Sequence, residues 1–116
     1  MDQSILVTIK KLLGIEREYT QFDLDVIVHI NAVLMILTQL GVGPPTGFSI
    51  HDDTALWSDF IDTTANLELA MSYILLRVKM LFDPPTSSAV LESMNRMIGD
   101  FEWRINVQAE TPAGEP

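Results

Sequence analysis

Ala65-Asn66-Leu67-Glu68-Leu69-Ala70-Met71-Ser72-Tyr73-Ile74-Leu75-Leu76-Arg77-Val78-Lys79-Met80-Leu81-Phe82 is the stretch whose reading decides the fold. Leu67, Met71, Ile74, Val78 and Leu81 recur at steps of four, three, four and three, the spacing of one face of a helix. Leu69, Tyr73, Leu76 and Met80 repeat the pattern on a neighbouring face. A helix with two apolar stripes has to bury both, so it needs two partners. Asp83-Pro84-Pro85 ends it, because the residue before a proline is pushed out of the helical region.

The flanking segments supply more helices. Ser4 to Leu13 places Ile5, Leu6, Ile9, Leu12 and Leu13 at helical spacing, with Gly14 where a C-terminal cap belongs. A second helix is predicted from near Phe22 to Leu40, with Thr20 or Asp23 as N-cap and Gly41 as terminator. Its continuous stripe is Val26, Ile30, Val33, Leu37 and Leu40, and Leu24, Val28 and Met35 form a second set on another face. After the loop Gly41 to Gly47, one of Asp52, Asp53 or Thr54 is expected to cap a short helix carrying Ala55, Leu56, Trp57, Phe60 and Ile61. Ser87 or Ser88 caps a last helix reaching at least Arg104. There Val90, Leu91, Met94, Met97, Ile98, Phe101 and Ile105 are expected inward, and Glu92, Arg96, Asp100 and Arg104 outward as four-residue charge pairs. No segment alternates as a strand does. The fold class is therefore all-α: a compact bundle of about five helices over residues 1–106, with a mobile C-terminal tail over 107–116.

At 116 residues and 13.0 kDa, with 47% hydrophobic and 20% charged residues, the chain has the size and composition of one folding domain. Absence of cysteine excludes disulfides, thiolate nucleophiles and Cys-based metal sites. No basic region precedes an apolar run at the N-terminus, so a cytoplasmic chain is expected. The most apolar run, Val26 to Leu40, is shorter than the roughly 20 residues a membrane span requires.

Net charge is -9, and there is no Lys or Arg between Arg17 and Arg77. That interval holds Glu18, Asp23, Asp25, Asp52, Asp53, Asp59, Asp62 and Glu68, so its surface is negative. Tight nucleic-acid binding depends on cations neutralising phosphates, which makes this chain a poor candidate for gripping DNA.

Catalytic signatures are sparse. Asp25 and His29 lie four apart on a helix, but zinc requires a third ligand from elsewhere. Asp23, Asp25, Asp52 and Asp53 occur at helix starts, where aspartate is favoured for structural reasons. Gly41-Val42-Gly43 runs into Pro44-Pro45, which removes the N–H donors a phosphate loop needs. A metal-dependent hydrolase built on these residues is the weakest reading, and no enzyme, metal or cofactor is expected. Most of the methionines fall within apolar stripes and read as core, as does Trp57. Trp103 lies between Glu102 and Arg104 near the chain end, where tryptophan serves as an interface anchor.

Thr8-Ile9-Lys10-Lys11-Leu12-Leu13-Gly14-Ile15, Asp25 to Asn31, Gln39 to Gly43, Trp57-Ser58-Asp59-Phe60 and Val78 to Glu110 with its Leu81-Phe82-Asp83-Pro84-Pro85 corner together resemble the head-to-tail connector (adaptor) proteins of long-tailed bacteriophages. The resemblance implies a ring of identical subunits beneath the portal, matching its twelve-fold symmetry, in the neck of the virion. It also implies partners in the portal protein and a stopper or tail-completion protein, with DNA passing through the lumen unbound and no membrane. Trp103, Arg104, Ile105, Asn106 and Val107 then correspond to the portal contact. Leu24, Val28 and Met35, with Leu69, Tyr73, Leu76 and Met80, are the candidate subunit interface; Asp52, Asp53, Asp59 and Asp62 are the candidate acidic lumen surface. A helical regulatory or scaffold domain binding a partner protein is the alternative.

Overall fold

The computed structural model describes residues 3–61 and 64–110, the side chains of 64–66 and 108–110 excepted. Its helices are α1 (Ile5–Leu12), α2 (Asp23–Gln39), α3 (Trp57–Phe60), α4 (Thr64–Phe82) and α5 (Ser88–Glu110). Among the described residues no strand forms, and the all-α expectation holds.

Both long turns that leave a helix early in the chain do so by one device. After α1, Gly14 (φ +84°) donates to the Lys11 carbonyl at 3.1 Å and Ile15 to the Lys10 carbonyl at 2.8 Å. After α2, Gly41 (φ +88°) donates to Thr38 at 3.1 Å and Val42 to Leu37 at 2.9 Å. These are Schellman caps, and they require a left-handed residue that glycine adopts without Cβ strain.

The start of α2 departs from expectation. Its N-cap is Phe22, which contributes no side-chain bond. Asp23 is the first helical residue, and its carboxylate instead meets the Lys10 ammonium at 2.7 Å. Lys10 is buried, and its Nζ also donates to the Arg17 and Tyr19 carbonyls at 3.1 and 2.7 Å. One cation thus gathers the whole α1–α2 connection, because a buried ammonium must find oxygen partners.

The third helix is shorter than predicted and capped differently. Asp52 Oδ1 accepts from the Thr54 amide at 2.9 Å, which makes a local turn and starts no helix. Residues 55 and 56 stay out of the helix because this segment pairs with the N-terminus: Ile5 donates to Ala55 and Trp57 to Gln3, each at 3.0 Å, around an isolated Ser4–Leu56 bridge. Only Trp57 to Phe60 then turn helical, and Asp59 Oδ2 accepts from the Leu56 amide at 2.9 Å. Trp57 is buried as expected, with its indole N–H donating to Thr8 Oγ1 at 3.1 Å. Asn31 on α2 performs a similar service for the loop, donating to the Ile50 carbonyl (2.9 Å) and accepting from its amide (2.8 Å).

α4 is the centre of the bundle, packed against α2 and against α5, while α1 rests on α2. Ile74 and Val78 are fully buried between these partners, as are Ile30, Val33 and Leu37 on α2. α5 turns a narrow line inward, Leu91, Met94, Ile98, Phe101 and Ile105, stepping three and four residues at a time, and Ile98, Phe101 and Ile105 of that line join the main core. Val90 and Met97, expected inward, fall beside that line and are about half exposed. Ser87 Oγ accepts from the Val90 amide at 3.4 Å, supporting the predicted cap. The predicted charge pairs form on the outer face, Arg96 to Glu92 at 2.7 Å and Arg104 to Asp100 at 3.0 Å. α5 continues to Glu110, past the boundary expected at residue 106, and the tail expected over 107–116 lies outside the described residues from 111 onward.

Candidate assembly surfaces

The expected subunit interface divides in two. On α2, Leu24 is 72% exposed, Val28 56% and Met35 64%, although the opposite side of the same helix is completely buried. These three side chains share one face of a helix whose other side is anchored, and that apolar face is left uncovered by the chain. Met35 also borders a shallow depression formed with Asn31, Thr38 and Thr46 to Ser49.

The α4 half of that interface is corrected. Tyr73 is fully buried, and Leu69, Leu76 and Met80 pack against the core. α4 packs against α2 and α5 of the same chain, so Tyr73 is withdrawn from any subunit contact, while Leu69, Leu76 and Met80 are partly buried. Leu81, at the end of the first stripe, is half exposed instead. Met35 and Met97, grouped with the core methionines by spacing, are exposed as well, because each lies on the outer side of its helix.

Tyr73 closes a polar link that residue spacing did not reveal. Its hydroxyl donates to Glu102 Oε2 at 2.7 Å and accepts from Arg77 Nε at 3.1 Å, and Arg77 also pairs with Glu102. Burial, followed by the adjacent Glu102 carboxylate, pushes the Tyr73 hydroxyl up to about 12. Burial acts on Glu102 in the upward direction too, but the bonds from Tyr73 and Arg77 outweigh it and hold the carboxyl below its usual range. The visible signal was Arg77, a cation inside the apolar pattern of α4. Lys10 and Asn31 gave the same kind of signal in α1 and α2: a polar residue at a core position implies a specific internal partner.

The region expected to meet the portal is mixed. Trp103 is 67% exposed, and Arg104, Asn106 and Val107 are exposed with it, but Ile105 is buried and anchors this part of α5 to the core. Asp52 and Asp53, on the segment leading into α3, and Asp59, within α3, are exposed; Asp62 lies outside the described residues. The Asp52 carboxyl is held below its ordinary value by its hydrogen bonds from Thr54. Asp25 is exposed and His29 half-buried, and no group of three His, Asp or Glu residues gathers as a metal site would need among the described residues. No helix among them is long and apolar enough to cross a membrane.

The chain thus combines a closed helical core with an uncovered apolar face on α2 and exposed acids at and before α3. The chain belongs to the phage connector protein family, whose family model matches residues 5–112. No curated protein and no solved structure matches it.

Proposed function

We propose that this protein is a subunit of the adaptor ring that sits below the portal in the virion neck, extends the DNA channel and offers a docking surface to a stopper or tail-completion protein. The family match over residues 5–112 carries this reading. The exposed α2 stripe supports it, since a ring subunit must keep apolar surface for its neighbours. Asp52, Asp53 and Asp59, with Asp62, are proposed to face the lumen. A negative wall lets DNA slide past, whereas a basic one would hold it through many phosphate contacts. Trp103 to Val107 are proposed to engage the portal, with Trp103 as the exposed anchor and Ile105 fastening the helix beneath it.

Native mass spectrometry of the chain mixed with its portal should give a closed ring whose copy number follows the portal's. A strictly monomeric chain that ignores portal, or a heterodimer of fixed stoichiometry with some other partner, would overturn the proposal. Truncation after Asn106 should weaken portal attachment with little loss of folding, because the buried Ile105 is retained; unchanged attachment would remove the end of α5 from the contact. Rings carrying Asp52→Lys, Asp53→Lys and Asp59→Lys should acquire salt-sensitive retention of duplex DNA in a filter-binding assay, which the native ring should lack.

A further inference from the structure

Among the exposed apolar side chains of the described residues, two sets lie on the helices that flank α4. One is the α2 stripe of Leu24, Val28 and Met35. The other is the edge of α5 bearing Val90 and Met97, 49% and 50% exposed and seven residues, two helical turns, apart. We propose that these surfaces are the two halves of a single contact between neighbouring copies of this chain, with the α2 stripe of one copy seated on the Val90–Met97 edge of the next. The inference rests on the ring reading and specifies which faces build the ring.

Contact type is the first argument. A two-fold contact uses one patch twice and would leave the other bare. A head-to-tail contact consumes two different patches, and closes into a ring when they lie on different sides of the subunit. α4 packs against both α2 and α5, and those two helices do not pack substantially on one another among the described residues. Their outward faces therefore flank the bundle, the arrangement that a head-to-tail contact requires.

Charge is the second argument, and it selects the same pairing. The α2 stripe begins beside the exposed Asp25 in a stretch without any Lys or Arg from residue 18 to residue 76. Packing α2 on α2 would set the Asp25 carboxylates against each other in a parallel pair and would meet no Lys or Arg of the helix in an antiparallel one. The α5 edge is where cations are presented: Arg96 precedes Met97, and Arg104 lies two further turns along the same side, their side chains 76% and 62% exposed. Each is paired only with an acid one turn back on its own exposed helix, a weak and easily exchanged attachment. The segments also match in length. Leu24 to Met35 spans about 16 Å and Val90 to Arg104 about 21 Å at the helical rise, so an antiparallel alignment places Arg104 near Asp25 and Met97 between Val28 and Met35.

The absence of native cysteine makes the test direct. Val28→Cys and Met97→Cys chains, separately and mixed, are assembled on portal and treated with a short bis-maleimide. The mixed sample should yield a cross-linked dimer that neither variant yields alone, and a chain carrying both substitutions should yield a ladder ending at the ring. Because both positions are exposed, folding is checked by unchanged thermal melting. As an independent measure, Asp25→Arg should reduce ring yield without altering thermal melting, and an undiminished yield would overturn the charge pairing. Links between two Val28→Cys chains, or native rings on portal without a mixed link, would overturn the pairing and leave the ring reading standing. Native chains that stay monomeric in the presence of portal would overturn both.

Discussion

α2 and α4 are written in the same way and used differently. Each carries one continuous apolar stripe and a second set of large apolar residues on another face, so each asks for two partners. α4 finds both inside the chain, between α2 and α5, and Tyr73 of its second stripe is fully buried. α2 finds α4 and α1 on one side only, leaving Leu24, Val28 and Met35 in water. The difference follows from position in the bundle. The central helix has a neighbour for each apolar face, whereas an outer helix covers its outer apolar face only when another chain arrives.

Stability measurements can break this comparison most sharply. Ile74→Ala on α4 should destabilise the full chain by about 2–5 kcal/mol through cavity formation. Val28→Ala on α2 should stay within about 0.5 kcal/mol. Urea unfolding of the two variants would read the contrast, and similar losses would mean that the α2 stripe is packed in the isolated chain.

Lys10→Met addresses how α2 is held from below. Removing the ammonium leaves the Asp23 carboxylate and the two loop carbonyls without their donor, at a cost of roughly 1–3 kcal/mol. The accompanying sign is local: faster amide exchange over residues 15–23 than over α4. Uniform exchange across both would show that the connection does not depend on this cation.

The smallest effect concerns the attachment of α4 to α5 and appears in the pH profile. The Tyr73 hydroxyl titrates at about 12 in the fold against 10.0 for a free tyrosine, so the folded state holds this proton more tightly. Its contribution is complete below pH 10 and is lost as pH rises toward 12. Glu102 behaves in the opposite sense: its depressed folded value contributes stability above the ordinary carboxyl value of 4.5, and that is lost as pH falls through the folded one. Tyr73→Phe should flatten the alkaline limb of a stability–pH curve measured by chemical denaturation, and an unchanged limb would assign the effect to other groups.

Much of the bundle was legible because helical periodicity is local. The two stripes of α4, the glycine stops after α1 and α2, and the Asp83-Pro84-Pro85 corner can all be read within a few residues. The extent of α3 could not, since residues 55 and 56 are held out of the helix by the pairing of this segment with Gln3 and Ile5, partners some fifty positions away. Asp23 likewise reads as a cap until Lys10 is seen to claim it. Among the candidate surface residues, the α2 set is exposed, while Tyr73 and Ile105 are buried. Val90 and Met97 were missed because a spacing rule gives the width of an apolar face but not how much of it a neighbour will cover.

By itself the sequence determined helix content, the breaks between helices, the negative middle of the chain and the kinship with phage connector proteins, since these depend on short-range pattern, composition and residue order. Tertiary structure alone decided which apolar stripes were consumed and which were left for other copies. Burial is a property of pairs of surfaces, and two helices with equivalent patterns differ in it only through what the rest of the chain lays beside them.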